Sequence, residues 1–397
     1  MIIESLSPSM RRRCSFLLLL IPVLGIIVIV FESSRVDHSS HPSNVLSSVS
    51  ASTVSETHDI IADTHNETLG FGAVLLLSLP SRTDRHDAIS LIAAHTGIKI
   101  TKTIYGVVSD DVDKKAYPYG DARKKFESDR FYPYLGSWRS HMDIFRYIVD
   151  NRIQTALILE DDLDWDMNVK DQFEALARGL RNSTIRRPFS EEELETAPYG
   201  LDWDILHIGC SQVRIAGAPR DQAFTVYTDE YRAPNHITKN PCNPFGYFCW
   251  EGLMKHAKLK ENQRAIYPTH ESVGLSAFAV TYTGAQRLLY QLSYKELTDT
   301  LDRSISKLTM QGAVRGWTVI PPMMGEFKVD SGKDTNLNVK ADMFSKDVSN
   351  LKGHGPGLLR SARQSLTETW EGDSANYWVS EKAYWGKQEE KADKVGR

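Results

Sequence analysis

The chain of 397 residues is poor in cysteine: it has four, Cys14, Cys210, Cys242 and Cys249, and none has the paired spacing that holds zinc. A disulfide-stapled scaffold and a zinc module are therefore excluded, and a chain this long can bury a core that needs neither. It also lacks a long basic block. The 47 Lys and Arg against 51 Asp and Glu give a formal charge of −4, which argues against nucleic acid as a partner. No internal repeat is visible, and no Asp-rich loop has the glycine and late glutamate of a calcium-binding hand. What remains is an ordinary globular composition, 41% hydrophobic and 25% charged, unevenly distributed along the chain.

Arg11, Arg12 and Arg13 precede an uncharged run over residues 14–31. As a helix it would rise about 27 Å, close to the hydrocarbon thickness of an early secretory membrane. The positive cluster on its N-terminal side predicts a cytosolic tail (1–13), a signal anchor (14–31) and export of the remainder: a single-pass type II protein of the Golgi or ER membrane. The competing reading is a cleaved signal peptide, which has a shorter apolar core and a small-residue cleavage site, whereas Phe31-Glu32-Ser33 follows here. Residues 32–69 hold ten Ser, four Thr, one basic residue and no aromatic, so they read as a flexible stem in which the scattered histidines are solvated. Two sequons, at Asn66 and Asn182, agree with a luminal domain over 70–397. Beyond Cys14, Cys242 and Cys249 in their turn-rich segment are the natural disulfide pair, and Cys210 reads as a buried thiol.

Residues 73–79 form a short apolar run ended by Pro80, which suits a strand buried on both faces. Ser81-Arg82-Thr83-Asp84 has the spacing of a capping box opening a helix through Ile92, close to the strand's C-terminal end. Further strands are expected at 98–105, 155–159, 203–208 and 277–281, and helices at 137–150, 169–180 and 285–292. This alternation predicts an α/β sandwich with a mostly parallel sheet, whose ligands bind beyond the C-terminal strand edges.

The sharpest chemical feature lies at such an edge. Glu160, Asp161, Asp162, Asp164 and Asp166 place five carboxylates within seven residues at the end of a buried strand. Like charges at that density repel unless a cation or solvent relieves them, and carboxylates suit magnesium, manganese or calcium. The plainer alternative has Asp164 or Asp166 capping the following helix and the rest forming a solvated acidic turn.

The acidic strand end, the Ser-Arg-Thr-Asp-Arg after the first strand, Gly136-Ser137-Trp138-Arg139-Ser140-His141, residues 204–209 and residues 279–289 occur in an order that resembles the glycosyltransferases of family 25. That group includes lipooligosaccharide and procollagen galactosyltransferases. The resemblance covers roughly residues 72–335 and leaves 336–397 as a C-terminal extension. It implies a GT-A-like domain of Rossmann type, a UDP-sugar donor, manganese or magnesium, inversion at the anomeric carbon, and a glycan or glycoprotein acceptor. Carried onto this chain, it implies Asp162 and then Glu160 as metal ligands, with Asp161 toward sugar or ribose hydroxyls. Arg82, Arg85, Ser140 and His141 become donor-pocket residues, although a first helical turn and a structural histidine explain them equally well. The base that takes the acceptor's proton is expected at Asp302, with Asp299 and Glu271 as competitors. Ser331, Lys333 and Asp334 reach the donor or form a turn. Trp370, Tyr377, Trp378, Tyr384 and Trp385 read as an aromatic strap closing the core. Two rivals stand: a non-catalytic, membrane-tethered relative that binds a glycan or nucleotide-sugar, and a metal-dependent phosphohydrolase.

Overall fold

The computed structural model describes residues 59–209, 212–213, 222–235, 250–329, 336–337 and 357–371. The expected anchor at 14–31, the Cys242 and Cys249 pair, Cys210, the Ser331 to Asp334 stretch and the aromatics beyond Trp370 lie outside the described residues. Among the described residues no helix is long and apolar enough to cross a membrane.

The strands are β1 Ala73–Ser78, β2 Lys102–Tyr105, β3 Thr155–Glu160, β4 Leu163–Trp165, β5 Ile205–His207, β6 Gln212–Val213, β7 Thr225–Thr228, β8 Gln263–Pro268, β9 Ser272–Val273, β10 Ala277–Thr281, β11 Gly316–Ile320 and β12 Met324–Glu326. Eight form one sheet in the order β2-β1-β3-β10-β5-β11-β8-β7. Their continuous apolar sequences have a direct cause, because alternate side chains enter two different cores. Val74, Leu76, Leu157 and Leu159 face the helices Thr83–Thr96 and Val169–Arg181. Leu75, Leu77, Ala156 and Ile158 face Pro133–Asp150, Tyr282–Leu289 and Leu301–Met310. The result is a three-layer α/β/α sandwich. Six of the eight strands share one direction, while β10 and β8 run against their neighbours.

Several local expectations change. The Thr83–Thr96 helix has Arg82 at its N-cap with no side-chain cap bond, so Ser81 builds no capping box. Asp84 instead binds the Arg82 guanidinium. The stem's composition concealed the start of the folded domain. Asp59 caps the 3-10 helix Ile60–His65, and Ile60, Ile61 and Leu69 are buried. Three apolar side chains suffice to dock this segment although its average is polar. Trp370 keeps 64% of its surface exposed and does not close the core. Asn66 and Asn182 are both exposed.

Two glycines of the motif-like stretches answer to packing. Gly284 sits where the Tyr282–Leu289 helix meets the β5 entry, and an added Cβ would lie 2.1 Å from the Asp204 carbonyl oxygen. At Gly136 a Cβ would lie 2.6 Å from the Val107 carbonyl oxygen. Both spacings are impossible without moving backbone. Gly284→Ala is therefore expected to lower unfolding stability by about 2 kcal/mol or more, since overpacking a rigid contact costs on that scale. An unchanged urea midpoint would show that the contact yields cheaply.

Candidate functional site

β1 and β3 pair in parallel with Leu77 opposite Glu160, and β1 and β2 with Ser78 opposite Tyr105. Their C-terminal ends thus meet at one edge. There they open on a pocket of about 310 Å³, large enough for part of a nucleotide-sized ligand. It is lined by Ser78, Arg85 and Glu160 to Asp162, and by residues 106–110 with Tyr132, Ser137 and Ser140.

The five carboxylates separate by partner. Asp161 is held at both oxygens: Arg85 Nη1 donates to Oδ1 at 2.5 Å and Ser78 Oγ to Oδ2 at 2.5 Å. Arg85 also approaches Asp162 Oδ2 at 3.3 Å. Asp164 and Asp166 are fully buried and bind the chain's later residues rather than capping a helix or meeting solvent. Ser361 Oγ donates to Asp164 and the Arg360 amide to Asp166. Asn168 is the helix N-cap and makes no side-chain cap bond. Burial pushes the Asp164 carboxyl up, while Ser361 and Arg363 oppose the shift. This leaves Glu160 and Asp162 as the cluster's partly exposed members at the pocket.

At Glu160, burial first, and then the charges of Asp162, Glu326 and Asp161, push the carboxyl well above the ordinary carboxylate range against a weaker pull from Arg85. Glu326 is a site residue that the sequence reading missed. It arrives on β12, which pairs with β4, and accepts from Ser276 Oγ at 3.0 Å. Its only local signal was a glutamate in a short run of no clear period. Ser78 was missed because it read simply as one position within the apolar run 73–79.

The guanidinium of Arg82 chelates Asp84 at 3.0 and 2.8 Å and reaches Asn336 at 2.7 Å, while Arg85 takes the position within the pocket wall. Ser140 pins the pocket loop: its hydroxyl donates to the Gly136 carbonyl at 2.7 Å and accepts from the Val107 amide at 2.9 Å. His141 lies behind Glu160 and is buried. None of Asp302, Asp299 and Glu271 lines the pocket. Asp302 accepts from Thr300 Oγ1 and the Arg303 amide. Asp299 pairs with Lys125 at 2.7 Å; burial would raise its carboxyl, but Lys125 and the Thr300 amide hold it below the ordinary value. Glu271 has a left-handed backbone, φ 48°.

A divalent cation fits the donor chemistry here, because hard oxygens crowd at Glu160 and Asp162 and one of them is driven toward protonation without a cation. The two carboxylates do not close into a three-ligand set. Among the described residues such a set occurs at His65, Asp171 and Glu174, on an outer flank where Arg178 already binds Glu174 at 2.7 Å. His65 ends the 3-10 helix Ile60–His65, and its side chain stays exposed while Nε2 meets Glu174 Oε2 at 2.8 Å.

Arg85 and Asp161 are both nearly inaccessible, whereas Asp84 keeps 43% of its side chain exposed. Arg85→Met strands a buried carboxylate and is expected to cost about 3–5 kcal/mol, against under about 1 kcal/mol for Arg82→Ala. Equal costs in urea unfolding would contradict this assignment. Glu160 gives a pH test. Its folded carboxyl holds a proton to higher pH than the unfolded chain does, so its contribution is intact below the ordinary carboxylate range and is lost as pH rises through the folded value. Glu160→Gln should therefore stabilise the metal-free protein at pH 8 more than at pH 4, and equal effects at both would refute the crowding.

No protein-family model matches the chain. It is similar to procollagen galactosyltransferase 1 of Danio rerio, 24% identical over 160 residues, covering 37% of this chain. The match spans 23% of that relative's length. The likeness supports a glycosyltransferase-like relationship.

Proposed function

We propose that this chain is a metal-dependent, inverting glycosyltransferase of GT-A-like architecture that moves a hexose, galactose, from a UDP-sugar to a hydroxyl of a glycan or glycoprotein. The observation that carries the reading is the delivery of Glu160, Asp161 and Asp162 by one buried strand into a pocket at the joint C-terminal edge of β1, β2 and β3. Ligands of α/β sheets bind at such edges. The partial likeness to a galactosyltransferase supports galactose as the sugar.

Glu160 and Asp162 would hold manganese or magnesium, which offsets charge developing on the leaving diphosphate. Arg85 and Ser78 fix both oxygens of Asp161, whose remaining lone pairs are presented to sugar or ribose hydroxyls. The pocket loop, held by Ser140 and by the Tyr132 hydroxyl on Asp110 at 2.8 Å, would contact the nucleoside. Inversion requires a base across the sugar from the diphosphate. Asp302 is the first candidate, with Asp299 and Glu271 as competitors; Lys125 at 2.7 Å holds the Asp299 carboxyl down and weakens it as a base. The anchor at 14–31 would place this chemistry in the Golgi or ER lumen, with Asn66 and Asn182 as glycan sites.

Manganese-supplemented turnover of a UDP-sugar panel tests the reading. Hydrolysis or transfer from UDP-galactose is expected, with a fall of about 100-fold or more in Asp162→Asn. No turnover of any UDP-sugar, or an undiminished manganese response in the variant, would sink it.

A further inference from the structure

The 3-10 helix Ile60–His65 packs on the helix Val169–Arg181. Asp171 and Glu174 stand three residues apart on the latter and so share one face of it. His65 completes a triad there: one imidazole nitrogen and one oxygen of each carboxylate all lie within 4.8 Å of one another. None of the three lines the pocket at the β3 edge. Ligands of a four-coordinate zinc, each at about 2.0–2.1 Å, stand about 3.4 Å apart, so small rotations of accessible side chains close this set on one ion.

Glu174 divides its oxygens. Arg178 Nε and Nη2 donate to Oε1 at 2.9 and 2.7 Å, while Oε2 faces His65 Nε2 at 2.8 Å. Arg178, and after it His65, holds the Glu174 carboxyl below its ordinary value against a smaller effect of burial, which keeps it ionised. The proton between Nε2 and Oε2 sits where a cation would, and the imidazole can carry its own proton on Nδ1 instead. Asp171 and Glu174 also line a second pocket, of about 460 Å³, with Asp229 and Glu230. Arg264 answers Asp229 at 2.6 Å, so Asp171, Glu174 and Glu230 outweigh the Arg178 charge in that lining and draw cations toward it.

We propose that His65, Asp171 and Glu174 form a structural zinc site, separate from the sugar-transfer chemistry, which ties the Ile60–His65 segment to the Val169–Arg181 helix. One imidazole nitrogen with two carboxylate oxygens favours zinc or cobalt over magnesium and calcium, which suit all-oxygen sites. The ion replaces one hydrogen bond between the two segments with three bonds to a common centre.

Calorimetric titration of zinc and of magnesium into the full chain, beside thermal unfolding, tests the site. An Asp162→Asn background keeps a cation at the β3 edge out of the count. The expected result is zinc bound in that background with an affinity that falls at least about tenfold on adding His65→Ala or Asp171→Asn, and a zinc-induced rise in Tm that both variants lose. Without metal, His65→Ala removes one exposed hydrogen bond and leaves Tm nearly unchanged, which separates a lost ligand from a lost fold. Zinc bound equally with and without His65, no zinc bound, or magnesium bound as tightly as zinc overturns the site, and each of these outcomes leaves the transferase reading standing.

Discussion

Five carboxylates leaving one buried strand repel one another, and each needs a positive or hydrogen-bonding partner before the surrounding core can close. Much of the molecule's irregular structure follows from meeting that requirement. Arg85 comes from the helix after β1 and answers Asp161, with Ser78 from the end of β1 itself. Asp164 and Asp166 are answered by residues 360–363, nearly two hundred positions later, where Arg363 also donates to the Leu163 carbonyl and covers the Phe327 ring at 4.5 Å. Residues 360–363 thus satisfy the two buried carboxylates of the acidic turn. Glu160 is left crowded and inclined to hold a proton.

Within a single turn, Asp161, Asp164 and Asp166 are buried and held by protein partners, while Glu160 and Asp162, the latter also 3.3 Å from Arg85, stay partly open to the pocket. Keeping two carboxylates close together costs stability, as active sites commonly do, and a cation would relieve it.

The sequence made the central architecture legible because buried strands are written as continuous apolar runs, as at 73–78 and 155–160, and amphipathic helices as spaced apolar positions, as at 133–150. It was silent on direction: nothing in Ala277–Thr281 says that this strand inserts antiparallel between β3 and β5. Strands such as Gln263–Pro268, which buries Arg264 against Asp229, carried too mixed a pattern to read. At the site, Glu160 to Asp162 stood out by charge density alone. The sorting of Arg85 from Arg82, the structural use of Asp164 and Asp166, and the arrival of Glu326 on β12 all depend on long-range pairing that local patterns do not encode.

In the proposed function the β3 acidic edge, a cation and a nucleoside diphosphate form one site. Calorimetric titration of UDP into the full chain, with and without manganese, tests it most directly. UDP binding is expected to appear with manganese and to be lost in Asp162→Asn. Binding that ignores manganese, or persists in that variant, would contradict it.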